Sequence, residues 1–409
     1  MEQLPTKGLL SVDEALERLL AGAVSVAGTE TVSTLDACGR VLAEAQHSTM
    51  NVPSLDNSAM DGYAVRVADL AGDKPRLRVA QRIFAGAVGS RLEPGTVARI
   101  FTGAPIPEGA DAIVIQEDTV ADGDHVVFNR KPGVGDWIRR VGQDIREASQ
   151  ILPAGIRLRP QDTGLAASVG IATMKLRRRV KVGLFFTGDE LAMPGEPLPP
   201  GRIYNSARFT LPGLARQLGC EVIDFGIVED TLDATRAMLR RAATECDIIV
   251  TCGGVSVGEA DFVKPAVEAE GELLMWRIAM KPGRPLAFGR VHAGGKTASF
   301  LGLPGNPVSS FVTFVLFVRP FILRTQGIDA TVPHVIDARA DFDWLEPDIR
   351  REFLRVKWNE KGGLDLYRTQ DSAVLTSTVW ADGLVDNPER KVIRQGDTVR
   401  FLSYANLFQ

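Results

Sequence analysis

The sequence predicts a multi-domain α/β protein. We expect a parallel sheet covered by helices, a mostly β inserted domain, a small mixed connector domain and a C-terminal β domain. Three observations support this prediction. The chain has 409 residues, which is too long for one hydrophobic core. Strand and helix patterns alternate from residue 180 onward, and short strand-like runs separated by Gly, Pro and Asp lie on both sides of that region.

Composition limits the classes of function. The net charge of −4 gives no general reason to expect binding to nucleic acid or to a membrane. The four cysteines are scattered and the four histidines stand alone, which predicts neither a disulfide framework nor a zinc site. The most apolar stretch, SSFVTFVLFVRPFIL, is interrupted by Arg319 and Pro320, so we do not expect it to span a bilayer. The N-terminus lacks the features of a signal peptide, and we expect a cytoplasmic protein.

The elements follow in order along the chain. Ser11 and Glu14 have the spacing of a capping box and precede an amphipathic helix. The runs RLRVAQRIF, TVARIFTG, DAIVIQED and HVVFNR predict a β-rich domain. VKVGLFF, EVIDFGIV and DIIVT predict buried parallel strands alternating with helices. The predicted boundaries are 27–46 and 146–178 for the connector, 47–145 for the β-rich domain, 7–26 and 179–329 for the α/β domain, and 330–409 for a C-terminal barrel-like domain.

The segment TCGGVSVGEADFVK directly follows the strand DIIV. Gly253 and Gly254 let the backbone approach a ligand closely, with N–H groups available to anionic oxygens. Glu259 and Asp261 place carboxylates beside that anion site, which calls for a magnesium ion between the negative charges. The alternative is a tight strand-to-helix turn with Asp261 as N-cap.

Two other strand ends also carry carboxylates. Glu190 lies in TGDEL, and Asp230 follows EVIDFGIV by two residues. Ligands of parallel sheets collect at the carboxyl ends of the strands, so we expect these groups to meet Asp261 at one edge. Capping and solvation of single carboxylates is the alternative interpretation.

Cationic and proline-rich segments face this acidic set in the prediction. Arg277, Lys281 and Arg284 surround a Pro-Gly turn, which could equally be a solvated β-turn. In LGLPGNPVSSF, Pro304 and Pro307 restrict the backbone, and Ser309 is expected to open a helix whose N-terminus suits an oxyanion. This segment could also be a purely structural turn.

The β-rich region adds three polar segments. DNSAMDGY contains Asp61, TGAPIPEG begins with Thr102, and Asp144 follows Arg139 and Arg140 in RRVGQD. An Asx-rich turn is the alternative explanation for DNSAMDGY.

Six of these segments, taken in order, closely resemble the molybdopterin molybdenumtransferase family, which includes bacterial MoeA and the E domain of gephyrin. They are DNSAMDGYAVR, TGAPIPEGADAIV, TGDEL, GGVSVGEADFVK, KPGRP and GLPGNPVSSF. The resemblance covers nearly the whole chain. It implies insertion of molybdate into adenylylated molybdopterin with release of AMP, dependence on Mg²⁺, and an elongated homodimer whose active sites lie between the α/β domain of one subunit and the β domain of the other.

The resemblance also implies residue roles. The expected catalytic residues are Asp61, Thr102, Asp144, Glu190, Asp230 and Asp261. Of these, the expected magnesium ligands are Asp61, Asp144, Glu190 and Asp261. Substrate and molybdate are expected to contact Gly253, Gly254, Ser256, Arg277, Lys281, Arg284, Pro304, Pro307, Ser309, Arg139, Arg355 and Ser372. Arg277 and Arg284 stand where the family often has lysine, and an arginine is a planar fork where lysine is a point charge.

The functional partners implied by the resemblance are a molybdopterin adenylyltransferase and apo-molybdoenzymes. Two other functions stay open at the level of sequence. One is a pterin-binding scaffold of the same architecture without turnover. The other is a hydrolase of nucleotide pyrophosphates on a related α/β fold, which DNSAMDGYAV and the terminal β domain disfavour.

Overall fold

A computed structural model gives the structure of the chain, and it describes residues 9–26, 28–254, 262–283 and 285–407. These residues form two compact units. The first unit contains the described residues up to Glu30, the short segment Gly39–Val41, and the chain from Arg177 onward. The second unit contains Thr31–Cys38 and Leu42–Leu176. The finer division into four domains stays a prediction.

The first unit is built on a six-stranded sheet, the large sheet. Its first four strands are parallel and the last two are antiparallel to their neighbours. The predicted parallel core is therefore present, and a hairpin extends it. Gly294 and Gly295 form the two-residue hairpin turn, both with positive φ, as tight hairpins require. In spatial order the strands are Glu221–Val228, Lys181–Thr187, Ile248–Cys252, Lys296–Leu303, Pro285–Ala293 and Gly271–Arg277.

Helices cover both faces of the large sheet. Successive residues of the central strands point to opposite faces, so Ile248 and Val250 enter one hydrophobic core and Ile249 enters the other. All five residues of that strand are buried, as expected for a strand that is covered on both sides. Within the described residues the α-helices are Val12–Ala21, Pro160–Ser168, Ala207–Gln217, Leu232–Glu245, Val263–Glu270, Pro307–Thr313, Arg319–Thr325, Thr376–Trp380 and Tyr404–Leu407.

The predicted helix start at the N-terminus is confirmed. Ser11 Oγ accepts a hydrogen bond from the backbone N–H of Glu14, whose carboxylate accepts one from the N–H of Ser11. Val12, Ala15 and Leu19 then lie buried on one side of the helix, which is the spacing that packs a single helical face against a core.

The apolar segment 307–325 is one continuous helix, and the predicted interruption at Arg319 and Pro320 is wrong. A π-helical turn, Phe314–Val318, joins its two α-helical parts, and such a turn changes the hydrogen-bond register where Pro320 cannot donate. The helix is long and apolar enough to cross a bilayer by length and composition, but 94% of its most apolar window is buried inside the protein. Burial of this kind is typical of a core helix.

A second six-stranded sheet forms the C-terminal part of the first unit. Its main path runs Met280–Lys281, Arg351–Trp358, Gly383–Asn387, Thr398–Ser403 and Ile336–Arg339, with Leu364–Leu366 paired to the second strand. A parallel bridge between Ala340 and Leu364 joins the last strand of the path to the extra strand. This bridge closes the ring and gives the barrel-like arrangement that the sequence predicts.

The second unit contains a six-stranded sheet that includes all four predicted β runs. In spatial order its strands are Ala112–Ile115, Gly62–Val65, Thr96–Ile100, Arg76–Ile83, His125–Phe128 and Thr119–Asp122. The remaining short strands of the chain are Thr29–Ser33, Gln46–His47, Asn57–Ser58, Ile138–Arg139, Gln150–Leu152, Thr173–Arg177, Leu191–Ala192 and Ile203–Tyr204.

A charged group fixes the start of the central strand in the large sheet. Both Oδ atoms of Asp247 accept hydrogen bonds from the Arg178 guanidinium, at 2.7 and 2.8 Å, and Oδ2 also accepts one from the N–H of Lys181 at 2.8 Å. Burial raises the pKa of Asp247, but the bonds from Arg178 and Lys181 outweigh it and hold the pKa below its usual value. Ionised Asp247 therefore stabilises the folded state.

We predict that Asp247→Asn lowers the free energy of unfolding at pH 7 by about 2 kcal/mol, the usual range for charge-assisted bonds. A carboxylate with a lowered folded-state pKa contributes above its unfolded pKa and loses that contribution as the pH falls through the folded pKa. The difference between wild type and variant should therefore shrink below about pH 4. Urea unfolding at several pH values measures it.

Glu245→Gln is the matched control, because Glu245 forms an exposed pair with Arg241 that should contribute less than about 0.5 kcal/mol. Equal stability of Asp247→Asn and wild type at pH 7 would contradict the assignment.

Candidate active site

The main candidate site is a cavity of about 1020 Å³ in the first unit. It lies where the parallel strands of the large sheet end, the expected place for ligands of such a sheet. The C-terminal barrel-like part completes its wall. The lining residues are Thr187, Glu190 and Leu191, then 203–207, 252–254, 281–283, Pro285, 304–307, Ser309, Arg350, 370–373 and Leu375.

The cavity brings together many of the residues predicted from the sequence. The predicted residues in its lining are Glu190, Gly253, Gly254, Lys281, Pro304, Pro307, Ser309 and Ser372. They come from distant parts of the chain. Of the three acids expected to meet at this edge, Glu190 lines the cavity, Asp230 is not among its described lining residues, and Asp261 lies outside the described residues. The roles expected of the lining residues stay predictions.

Two glycines form the turn after the central strand. Gly253 and Gly254 have φ of +96° and +65°, which side chains rarely adopt. A Cβ atom on Gly253 would lie 2.8 Å from the carbonyl oxygen of Thr187, and one on Gly254 would lie 2.6 Å from Val263. The bare backbone of this turn is therefore required by packing, and it also leaves the backbone open to the cavity.

Asp230 is connected to the cavity wall by a hydrogen bond with Thr187. Its Oδ1 accepts a hydrogen bond from the hydroxyl of Thr187 at 2.8 Å, and Thr187 is buried and lines the cavity. Asp230 itself is not among the described lining residues. We therefore assign Asp230 to positioning of the turn after the strand Lys181–Thr187.

Lys281 is already paired with two carboxylates. Its Nζ lies 3.4 Å from Glu352 Oε1 and 3.5 Å from Asp348 Oδ2. Arg350 also binds Asp348, and its hydrogen bonds hold the pKa of Asp348 well below the usual value. Lys281 and Arg350 thus line the cavity, and the carboxylates that they contact fix the positions of their side chains.

Arg355 does not lie where the sequence predicts. Its side chain is buried, with 1% exposure, and it donates to the carbonyl oxygens of Phe353 and Asp371 and to the hydroxyl of Ser377. Burial lowers the pKa of Arg355 to about 10. A guanidinium that is enclosed in this way holds the loop at Asp371 in place, and Arg355 is not among the described residues that line the cavity.

The loop that carries Ser372 is tied to the start of the long helix. The helix begins at Pro307 with Asn306 as N-cap, so Ser309 lies in its first turn and does not open it as predicted. The carbonyl oxygen of Ser372 accepts the N–H of Val308 at 3.1 Å, and its hydroxyl accepts Asn306 Nδ2 at 3.2 Å. One helix N-terminal donor is therefore satisfied by protein.

Arg277 occupies the same edge of the large sheet but lies outside the cavity. It ends the outermost strand, Gly271–Arg277, and is exposed. It is not among the described lining residues, because the strand Pro285–Ala293 separates it from the central strands. The predicted residues Ser256, Asp261 and Arg284 lie outside the described residues.

Four predicted residues belong to the second unit. The N–H and hydroxyl of Thr102 both donate to Asp61 Oδ1 at 2.8 Å, and these bonds lower the pKa of Asp61. Asp144 borders a hollow of about 790 Å³ together with Arg140 and Arg146. Arg139 is exposed in the short strand Ile138–Arg139 and is not among the residues lining that hollow.

The donors in the cavity are suited to magnesium. Glu190 and Asp371 supply carboxylates, and Ser309 and Ser372 supply hydroxyls. Within the described residues there is no group of three or more His, Cys, Asp or Glu side chains placed to hold a metal. Mg²⁺ is commonly held by one or two carboxylates together with substrate phosphates, and the oxygen donors of this cavity fit that arrangement.

Sequence reasoning missed Asn205, Arg350 and Asp371 in the cavity lining. Asn205 is buried, with 2% exposure; its Oδ1 accepts the N–H of Arg208, and its Nδ2 has no hydrogen-bond partner among the described residues. The signal for Asn205 is its position just before the helix Ala207–Gln217, where Asn and Ser are favoured. No pattern indicates that Arg350 faces the cavity while Arg355 is enclosed.

Comparison with known proteins decides the family. The chain is 43% identical over 408 residues to the molybdopterin molybdenumtransferase of Haemophilus influenzae, which covers 98% of this chain and 100% of that relative. The chain belongs to the molybdopterin molybdenumtransferase (MoeA) family. A similar protein of Bacillus subtilis with the same name is 36% identical, over 87% of this chain and 84% of the relative.

Family models match three successive regions of the chain. They are the MoeA N-terminal region (domain I and II) at 10–170, the probable molybdopterin binding domain at 183–324, and the MoeA C-terminal region (domain IV) at 337–404. A crystal structure of a molybdopterin biosynthesis MoeA protein from Pyrococcus horikoshii has a TM-score of 0.83 and 29% identity, covering 97% of this chain and 100% of that one. The fold is therefore that of MoeA.

The cysteine in the cavity lining is a packing group. Burial raises the pKa of the Cys252 thiol to about 12, and Sγ lies 3.1 Å from the carbonyl oxygen of Pro304. A thiol reacts as its thiolate, so we expect Cys252 to be unreactive at neutral pH.

We predict that iodoacetamide at pH 8 alkylates Cys38 in the native protein, since it is the exposed cysteine of the four, and leaves Cys252 unmodified. Peptide mass spectrometry measures the labelling, with urea-unfolded protein as the control in which all four react. Rapid labelling of Cys252 in the native state would show that the turn after the central strand opens.

Proposed function

We propose that the chain inserts molybdenum into adenylylated molybdopterin, converting molybdate and adenylyl-molybdopterin to molybdenum cofactor and AMP. The observation that carries the proposal is the cavity at the strand ends, which combines Glu190, the bare Gly253–Gly254 turn and Lys281 in a chain of the MoeA family. Relatives that are 36–43% identical to it bear the name of this transferase.

The chemistry of the cavity supports this reaction class. Molybdate and the pyrophosphate linkage are both anionic, so a site for them requires cations and backbone N–H groups at fixed positions. The open backbone at Gly253 and Gly254 can approach phosphate oxygens, and the ammonium of Lys281 and the guanidinium of Arg350 can approach anionic oxygens. The dithiolene sulfurs of the substrate supply the ligands for molybdenum, so the protein binds, orients and neutralises.

We further propose that Mg²⁺ binds with the substrate. Glu190 would hold it in the cavity, and Asp61, Asp144 and Asp261 stay expected ligands on the family resemblance alone. When bound, Mg²⁺ would neutralise the phosphate oxygens of the linkage that is cleaved. The support is the oxygen donors in the cavity lining, which come from Glu190, Asp371, Ser309 and Ser372, together with membership of the family.

The assembly and the setting are also proposals. We propose a cytoplasmic homodimer that receives its substrate from a molybdopterin adenylyltransferase and delivers the cofactor to apo-molybdoenzymes. The support is the family resemblance, and the burial of the apolar helix 307–325 fits a soluble setting. Light scattering on the purified protein tests the dimer, and a monomer at micromolar concentration would contradict it.

The activity is tested directly. Purified protein, adenylylated molybdopterin, molybdate and Mg²⁺ should yield AMP and a product that activates an apo-molybdoenzyme. Binding of the pterin nucleotide without any AMP release would overturn the transferase proposal in favour of a pterin-binding scaffold.

We predict that Glu190→Gln lowers kcat for AMP release about 100-fold, since it removes one charge from a preorganised polar site. Glu196→Gln is the matched control. Glu196 lies six residues further along the chain and is exposed, and its carboxylate accepts a local hydrogen bond from the N–H of Met193, so the kcat of Glu196→Gln should equal that of wild type. A wild-type kcat in Glu190→Gln would contradict a catalytic role for Glu190.

A further inference from the structure

The sheet of the second unit carries an aromatic pair that the proposed function does not use. Phe84 and Phe101 follow the ends of two neighbouring strands, Arg76–Ile83 and Thr96–Ile100. Their rings are nearly parallel, at an interplanar angle of 7°, with centroids 4.6 Å apart. The N–H of Phe101 donates to the carbonyl oxygen of Ile83, so backbone pairing fixes the two residues side by side.

The guanidinium of Arg99 contacts one ring of this pair, that of Phe101. The guanidinium carbon of Arg99 lies 4.9 Å from the ring centroid of Phe101 and 5.1 Å from that of Tyr63. Tyr63 is buried. Arg99 is itself held by hydrogen bonds to Gln116 and to the carbonyl oxygen of Gly62. Phe101 is therefore a fixed support for the ring of Phe84.

Phe84 presents an open ring surface. Its side chain is 56% exposed, and one face of the ring is against Phe101, so the exposed fraction belongs to the other face and the edge. An exposed phenylalanine ring contributes nothing to the hydrophobic core. A flat ligand that covers this ring removes apolar surface from water, which is favourable. We call Phe84 and Phe101, with Arg99 behind them, the aromatic platform.

The aromatic platform lies beside Asp61 and Thr102. Gly62 pairs with Ile100 in the sheet, so the residues that flank them, Asp61 and Phe101, are neighbours across the strands. Thr102 follows Phe101 directly and donates both its N–H and its hydroxyl to Asp61. A stacking surface and a carboxylate of fixed geometry thus occupy one edge of the sheet. This combination suits a flat ring with a polar rim.

We propose that the aromatic platform binds a planar heteroaromatic ring of the substrate by stacking on Phe84. The inference rests on the proposed function, because adenylylated molybdopterin carries two such rings, the pterin and the adenine. Either ring has the same stacking chemistry. The ring is held by its flat face, so the contribution depends on aromaticity at position 84 and not on side-chain volume alone.

The test compares three variants in equilibrium binding of adenylylated molybdopterin without molybdate. Phe84→Leu removes the aromatic face and should weaken binding about 5-fold or more, the usual effect of losing one stacked base. Phe84→Trp keeps a flat face and should bind like wild type. Val120→Ala, which trims another exposed apolar side chain of the same sheet, should also bind like wild type.

Unchanged binding by Phe84→Leu would overturn the inference, and so would equal weakening in Phe84→Leu and Phe84→Trp. Repeating the comparison with AMP and with unadenylylated molybdopterin identifies the ring. If Phe84→Leu weakens the binding of AMP but not of molybdopterin, the stacked ring is the adenine. If it weakens the binding of molybdopterin but not of AMP, the stacked ring is the pterin. A loss with neither probe overturns the inference.

The steady-state readout separates this inference from the proposed function. Stacking that is equal in ground and transition states changes KM and leaves kcat unchanged, so Phe84→Leu should raise KM for AMP release at wild-type kcat. If Phe84→Leu releases AMP with the kcat and the KM of wild type, the proposed function is supported and the stacking inference is wrong. If the wild type releases no AMP but its ligand binding still depends on Phe84, the proposed function is wrong and the stacking inference is supported.

Discussion

The candidate site depends on one constraint: the strands of the large sheet that run in the same direction end at the same edge. Thr187, Cys252 and Leu303 are the last residues of three neighbouring parallel strands, and the chain leaves the sheet at each of them into the cavity wall. The antiparallel strand Pro285–Ala293 begins at this edge, which places Lys281 there as well. The shared direction of the strands thus brings residues that are more than 100 positions apart in the sequence to one edge of the sheet.

The second requirement of the site is that its charged groups are held before any ligand arrives. Lys281 and Arg350 share Asp348, Asp230 holds Thr187, and the enclosed Arg355 holds the loop at Asp371. Preorganised charge stabilises an anionic ligand without reorganisation when it binds. The same pairing limits the free positive charge of the described lining, which is why a metal ion that accompanies the substrate is part of the proposed function.

Much of the fold could be predicted from the sequence, because the periodicity of residues such as Val182, Leu184 and Ile249 reflects which side of a strand is buried. The convergence of Glu190, Gly253 and Lys281 could be predicted too, since it follows from strand direction. The antiparallel hairpin at 285–303 was missed, although Gly294 and Gly295 carry its turn signal. Burial of Arg355 and pairing of Lys281 could not be predicted, because a side chain's partners depend on tertiary contacts that have no local pattern.

The proposed function requires the cavity at the strand ends to bind the phosphates of the pterin nucleotide. A crystal structure of the protein soaked with adenylylated molybdopterin tests it most directly. Electron density for the phosphates is expected against the backbone of Gly253 and Gly254, within reach of Lys281. Density for the phosphates elsewhere, with this cavity filled only by water, would contradict this assignment.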